Sequence, residues 1–173
     1  MLTRSKSLFT IVVLAGISIS CGSKEGGGAA PPSSAPPSPL PPGISQNLTR
    51  DSAKPSYNFD SLGTIRYPAV QKSNEISAAT ANVITGWALN QTEKGTAGGV
   101  DVVIDQVPYN AHYGSARTDV ADHFKCPDCT NSGFQLNLAP GQLTKGPHTV
   151  SIRVISSDKK SYGEGPPVQF TVN

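Results

Sequence analysis

The stretch HTVSIRVIS, residues 148 to 156, is the strongest constraint on how this chain folds. Val150, Ile152 and Val154 alternate with Ser151 and Arg153, so in an extended backbone the apolar side chains share one face and the polar ones the other. A helix would scatter both sets around its circumference. The same period of two recurs in FQLNL (134 to 138) and VQFTV (168 to 172), and the β-branched runs NVITGWAL (82 to 89) and GVDVVID (99 to 105) add two more strands. LGTIRYPAV (62 to 70) is a candidate first strand, with Pro68 confining its far end to a sheet edge. Helix is expected only as short turns, in RTDVADHF (117 to 124), capped by Thr118 or Asp119, and in APGQL (139 to 143). Strands joined by Gly- and Pro-rich connections predict an all-β antiparallel sandwich with one or two short helical turns, not an α/β enzyme fold.

The N-terminal part has a different character. Arg4 and Lys6 precede an uncharged apolar run from Leu8 to Ile19, shorter than the roughly twenty residues a membrane-spanning helix needs. Ser20-Cys21-Gly22-Ser23 follows, and residues 1–20 read as an export signal. The segment resembles a bacterial lipoprotein signal, in which a small residue followed by Cys marks the cleavage site and the lipidated position, although Ser18 stands where that pattern usually has Leu. The resemblance implies a lipid on Cys21 and a bacterial cell-envelope location, and Gly22 and Ser23 resemble the positions that favour the outer membrane in Gram-negative lipoproteins. From Gly22 to Gly43 the chain is almost entirely Gly, Pro, Ser and Ala, and it is polar and aperiodic from there to about Ser56, so residues 21–56 are expected to form a disordered tether. Residues 57–173 remain as one domain with one core. Loss of Arg4 and Lys6 with the signal would leave twelve cations against twelve acids, and without a basic stripe the composition offers nothing to nucleic acid.

Five motifs then stand in a recognisable order: GWALN, GVDVVID, YGSARTDVADHF, NSGFQLNL and LTKGPHTVSIRVIS. Over about residues 80 to 156 they resemble a bacterial immunoglobulin-like module found in exported, surface and glycan-related proteins. The resemblance implies an immunoglobulin-like sandwich and a building-block role more than any one activity. Where that module has an Asp-Gly turn, this chain has Asp105-Gln106, so the hairpin is expected to turn by another route. The module also commonly lacks cysteines before Ser-Gly-Phe, which makes Cys126 and Cys129 a local addition.

That pair, in KCPDC, is the most enzyme-like feature of the chain, and three chemistries compete for it. Thiol redox work requires the first Cys at a helix N-terminus, but here the pair follows the helical stretch and Asp128 opposes a thiolate. Zinc could draw on His123 and on His112 or His148, without the two separated ligand pairs of structural sites. A disulfide across a turn suits Pro127 and Asp128 and an oxidising compartment, with Cys21 consumed by the lipid.

The resemblance also singles out Arg117 and Asp119, which with Tyr113 are candidates either for ligand contact or for bracing their loop. Trp87 reads as core before sugar platform, and Asp101 and Asp105 as a solvated strand face. Tyr57 is among the tyrosines that no single face accommodates from sequence alone. No nucleophile elbow, phosphate loop or His-Glu-x-x-His is present, and nothing in the chain calls for a metal or other cofactor. The expected function is therefore non-enzymatic: a lipid-anchored envelope protein presenting an interaction or adhesion module to a protein or glycan. The alternatives are a carbohydrate-binding module and a small metal or thiol-redox protein using Cys126 and Cys129.

Overall fold

The protein is described by a computed structural model over residues 36–173. The expected signal peptide (1–20), Cys21 and the first part of the expected tether lie outside the described residues. The strands are β1 (Thr49–Arg50), β2 (Ser56–Leu62), β3 (Ile65–Arg66), β4 (Glu75–Ile76), β5 (Asn82–Leu89), β6 (Gly99–Ile104), β7 (Val107–Asn110), β8 (His112–Ser115), β9 (Gly133–Leu138), β10 (Gly146–Ile155), β11 (Ser161–Glu164) and β12 (Val168–Val172). One helix, α1 (Thr118–Phe124), joins them, with 3-10 turns at Ile44–Asn47, Pro68–Val70 and Pro127–Cys129.

The chain is an all-β sandwich. One sheet runs β3-β2-β5-β9-β8, and the other is organised by the long strand β10. Along one edge β10 pairs with β6, which continues to β7; along the other, its first half pairs with β12 and its second half with β11. β1 and β4 add in parallel outside β11 and β12. The alternation that marked β10 works as expected, because Val150, Ile152 and Val154 face the core with Val100, Val102, Ile104, Phe170 and Val172. Opposite them lie Phe59, Leu62, Ile84, Phe134, Leu136 and Leu138 from the first sheet. Gly86 makes room within the first sheet, since a Cβ there would overlap the Asn58 carbonyl of β2 and the Phe134 ring of β9.

Three expectations need correcting. The first long strand is Ser56–Leu62 and not LGTIRYPAV, which instead makes a two-residue hairpin at Gly63-Thr64 (Gly63 φ 58°) and then the 3-10 turn at Pro68. The hairpin between β6 and β7 keeps a two-residue loop: Asp105 (φ 48°) and Gln106 (φ 71°) are both left-handed, the pattern of a type I′ turn, with Gln where Gly is the easier choice. Asp105 tolerates it because its carboxylate takes the Thr149 N–H (2.9 Å) and its own N–H reaches the Thr149 carbonyl (3.1 Å).

The third correction concerns the domain boundary at residue 57. Residues 40 to 56 belong to the sandwich. Leu40 packs on the core, Pro42 bridges Tyr109 on the free edge of β7, and Gly43 donates to the Pro108 carbonyl (2.9 Å). Proline and glycine lowered the expectation of order here, but on an exposed strand edge a missing N–H does no harm.

Candidate functional site

The helix and the cysteines form one unit on the outer face of the first sheet. Cys126 and Cys129 are joined in a disulfide, with Cα atoms 5.3 Å apart across the Pro127–Cys129 turn. Cys129 is fully buried and Cys126 nearly so, in a small cluster with Leu89, Val120 and Ala121 that Trp87 and Phe124 flank. His123 is exposed and its ring meets Phe124 edge-on at 4.9 Å, while His112 and His148 lie on strands β8 and β10. Among the described residues no group of three or more His, Cys, Asp or Glu side chains is placed to hold a metal ion. Trp87 is neither in the main core nor a free platform: it is half-buried on the outer face, with Phe124 edge-on at 5.4 Å.

Arg117 and Asp119 do meet. The guanidinium grips Asp119 through two bonds, Nε to Oδ1 at 2.9 Å and Nη2 to Oδ2 at 2.7 Å, and its third arm, Nη1, reaches Asp60 on β2 at 2.6 Å. The bonds to Asp119 raise the Arg117 pKa further and hold the Asp119 carboxyl below its usual range. The expected cap by Thr118 or Asp119 does not form. Arg117 is the N-cap residue, without a side-chain cap, and Thr118 and Asp119 stand inside the first turn, where Asp119 binds the guanidinium. Tyr113 is equally committed, donating its hydroxyl to the Ala88 carbonyl (2.7 Å) and accepting the Ala97 N–H (2.9 Å), and burial raises its pKa.

His148 makes a third internal tie. Its Nδ1 lies 2.6 Å from Asp105 and its Nε2 2.9 Å from the Thr144 carbonyl, while the ring stacks on Phe170 at 5.4 Å. Both ring nitrogens face acceptors, which suits the doubly protonated imidazolium. Burial opposes that charge, but the bonds to Asp105 and Thr144 outweigh it and the His148 pKa is raised. Asp105 is lowered: its burial works the other way, and the Thr149 N–H and His148 overcome it.

Sequence reasoning missed two features. Asp101, read as part of a solvated face, is fully buried beneath residues 43–45 and accepts the Ile44 (3.1 Å) and Ser45 (2.7 Å) N–H groups at the start of the first 3-10 turn. Across the strands it is registered with Arg153, which is registered in turn with Glu164. Arg153 reaches Glu164 at 3.3 Å and the Ser45 hydroxyl at 3.3 Å, covers the Tyr162 ring at 4.7 Å, and Glu164 accepts the Ser151 hydroxyl at 2.8 Å. No sequence period reveals this row, because it exists only when β6, β10 and β11 lie side by side.

The second is a groove of about 760 Å³ on the open side of the sandwich, between β2 and the junction of β11 with β12. Tyr57, Phe59, Ile152 and Val168 give it an apolar floor, and Arg50, Lys54 and Glu164 stand among its polar lining. Tyr57 lies flat against Gly165, where any Cβ would overlap its ring and hydroxyl, and its burial raises its pKa. A smaller groove of about 390 Å³ lies beside His148 and Asn74. Among the described residues no helix is long and apolar enough to cross a membrane.

No protein-family model and no curated protein matches the chain. Among solved structures it is similar to an endo-beta-1,4-mannanase from Thermotoga petrophila, at 10% identity and a TM-score of 0.43. That similarity covers 71% of this chain but 20% of the mannanase chain.

Proposed function

We propose that the protein is a non-enzymatic binding module held at the bacterial envelope through a lipid on Cys21. It uses the groove between β2 and the β11–β12 junction as its recognition surface. The observation that carries this reading is the groove itself, which keeps an apolar floor open to solvent. Meanwhile the groups suited to chemistry are spent on the fold: Arg117 on Asp60 and Asp119, His148 on Asp105, Tyr113 on the backbone, and Cys126 on Cys129. A benzophenone side chain at Lys54, on the groove rim, tests it in intact cells. Capture of a defined envelope protein, lost when Val168→Trp fills the groove floor, supports the reading. Capture of a glycan strand moves it to the carbohydrate-binding alternative, and capture of lipids and lipoprotein-processing machinery alone overturns it.

A further inference from the structure

The turn between β3 and β4 holds apolar side chains in water on a rigid support. Tyr67 begins it in a left-handed conformation (φ 51°, ψ 57°), which a bulky residue rarely adopts. Three ties fix it there. The Tyr67 N–H donates to the Asp60 carbonyl at 2.7 Å, Pro68 is buried, and the Asn74 amide, itself 5% exposed, donates to the carbonyls of Pro68 (3.1 Å) and Gln169 (3.0 Å). What this support presents is Tyr67 at 52% exposure and Val70 at 79%. Neither contributes to the core. Arg66 and Lys72, both exposed, flank them, and no acid lies between. The nearest acids in sequence are engaged, Asp60 by Arg117 and Glu75 by the Asn173 amide.

We propose that the Arg66–Lys72 turn is a membrane-contact tip, placing Tyr67 and Val70 in the interface of an anionic bilayer while Arg66 and Lys72 meet lipid phosphates. An aromatic ring with an aliphatic neighbour and flanking cations is the combination that interfacial depth selects. The inference rests on the envelope reading, because a lipid on Cys21 keeps a bilayer within reach. The residues between Cys21 and Leu40, at up to about 3.3 Å each, permit a span of about 60 Å.

The test uses full-chain protein purified from the envelope and reconstituted into vesicles of phosphatidylethanolamine and phosphatidylglycerol. Trp87 is the sole tryptophan, so Tyr67→Trp in a Trp87→Phe background reports on the tip alone. With brominated acyl chains its emission should fall by at least about twofold and shift to the blue. Val70→Asp, or phosphatidylcholine in place of phosphatidylglycerol, should recover at least about half of that loss. A benzophenone at position 70 in the otherwise native chain gives a second reading and should label lipid. Water-like, unquenched emission together with no lipid label overturns the proposal and turns the tip toward a protein partner. The N-terminal mass reads the anchor separately: with no acyl chain on Cys21, the envelope reading fails while quenching by added vesicles still upholds the tip.

Discussion

Each sheet buries one face in the shared core and covers part of its other face, and the two covers use opposite chemistry. The β5–β9 sheet carries an apolar cover, in which α1 and the disulfide turn lay Val120, Ala121 and Phe124 over Trp87 and Leu89. The β6–β10 sheet carries a polar one, in which Asp101 holds the Ile44 and Ser45 N–H groups and Arg153, itself paired with Glu164, reaches the Ser45 hydroxyl. An apolar cluster loosens gradually when one member is trimmed, because its contacts are many and individually weak. A mostly buried polar row fails more abruptly, because each member has few partners and losing one leaves another short of a bond with little solvent to replace it.

The largest predicted effect tests that abruptness. Arg153→Ala takes from Glu164, whose side chain is 15% exposed, its nearest cation, frees the Ser45 hydroxyl and uncovers the Tyr162 ring, and should lower unfolding stability by about 3 kcal/mol, measured by denaturant titration. Asp101→Ala removes the acceptor of two backbone N–H groups and should lose about 2–3 kcal/mol, with hydrogen exchange rising first at residues 43–47. Replacing both cysteines with serine should cost about 2 kcal/mol or less, since the loop closed is tiny, and exchange should rise in α1 while the sheets stay protected. Equal losses from the cysteine and Arg153 variants would erase the contrast between the two covers.

Two smaller effects lie at the Asp105–Gln106 turn of the β6–β7 hairpin. The raised His148 pKa means that its tie to Asp105 stabilises fully below the unfolded value of about 6.5 and fades as pH rises through the folded value. With Asp105 half exposed, the change should stay under about 1 kcal/mol and vanish in His148→Gln, as thermal melts across that range will show. Gln106→Gly relieves a left-handed side chain and should stabilise by up to about 1 kcal/mol.

How much was legible follows from how local each signal is. β5, β6, β9, β10, β12 and α1 declare themselves through period and β-branching within a few residues, and so does the apolar cover, whose Val120 and Phe124 stand four apart on one helix face. Strands of two to four residues such as β1, β4 and β11 carry too few positions for a period. Their order comes from neighbours distant in sequence. Asp101 looked solvated because its burial depends on a segment some fifty residues earlier that composition marks as unstructured. The groove was illegible for the same reason: Tyr57 and Gly165 interlock across the whole length of the domain.

The Asp101 clamp also decides how the domain meets mechanical tension. A pull on the chain ahead of Leu40 meets first Leu40 on the core, then the Pro42 bridge on β7, and then the Ile44 and Ser45 N–H groups on Asp101. The bridge lies on the edge strand β7 and the Asp101 grip on β6, beside the central strand β10, so tension passes from the sheet edge inward across the hydrogen bonds. The core strands are thereby shielded until that clamp yields, and yielding lengthens the leash by the residues from Leu40 to Ser45 before any of those strands is drawn out.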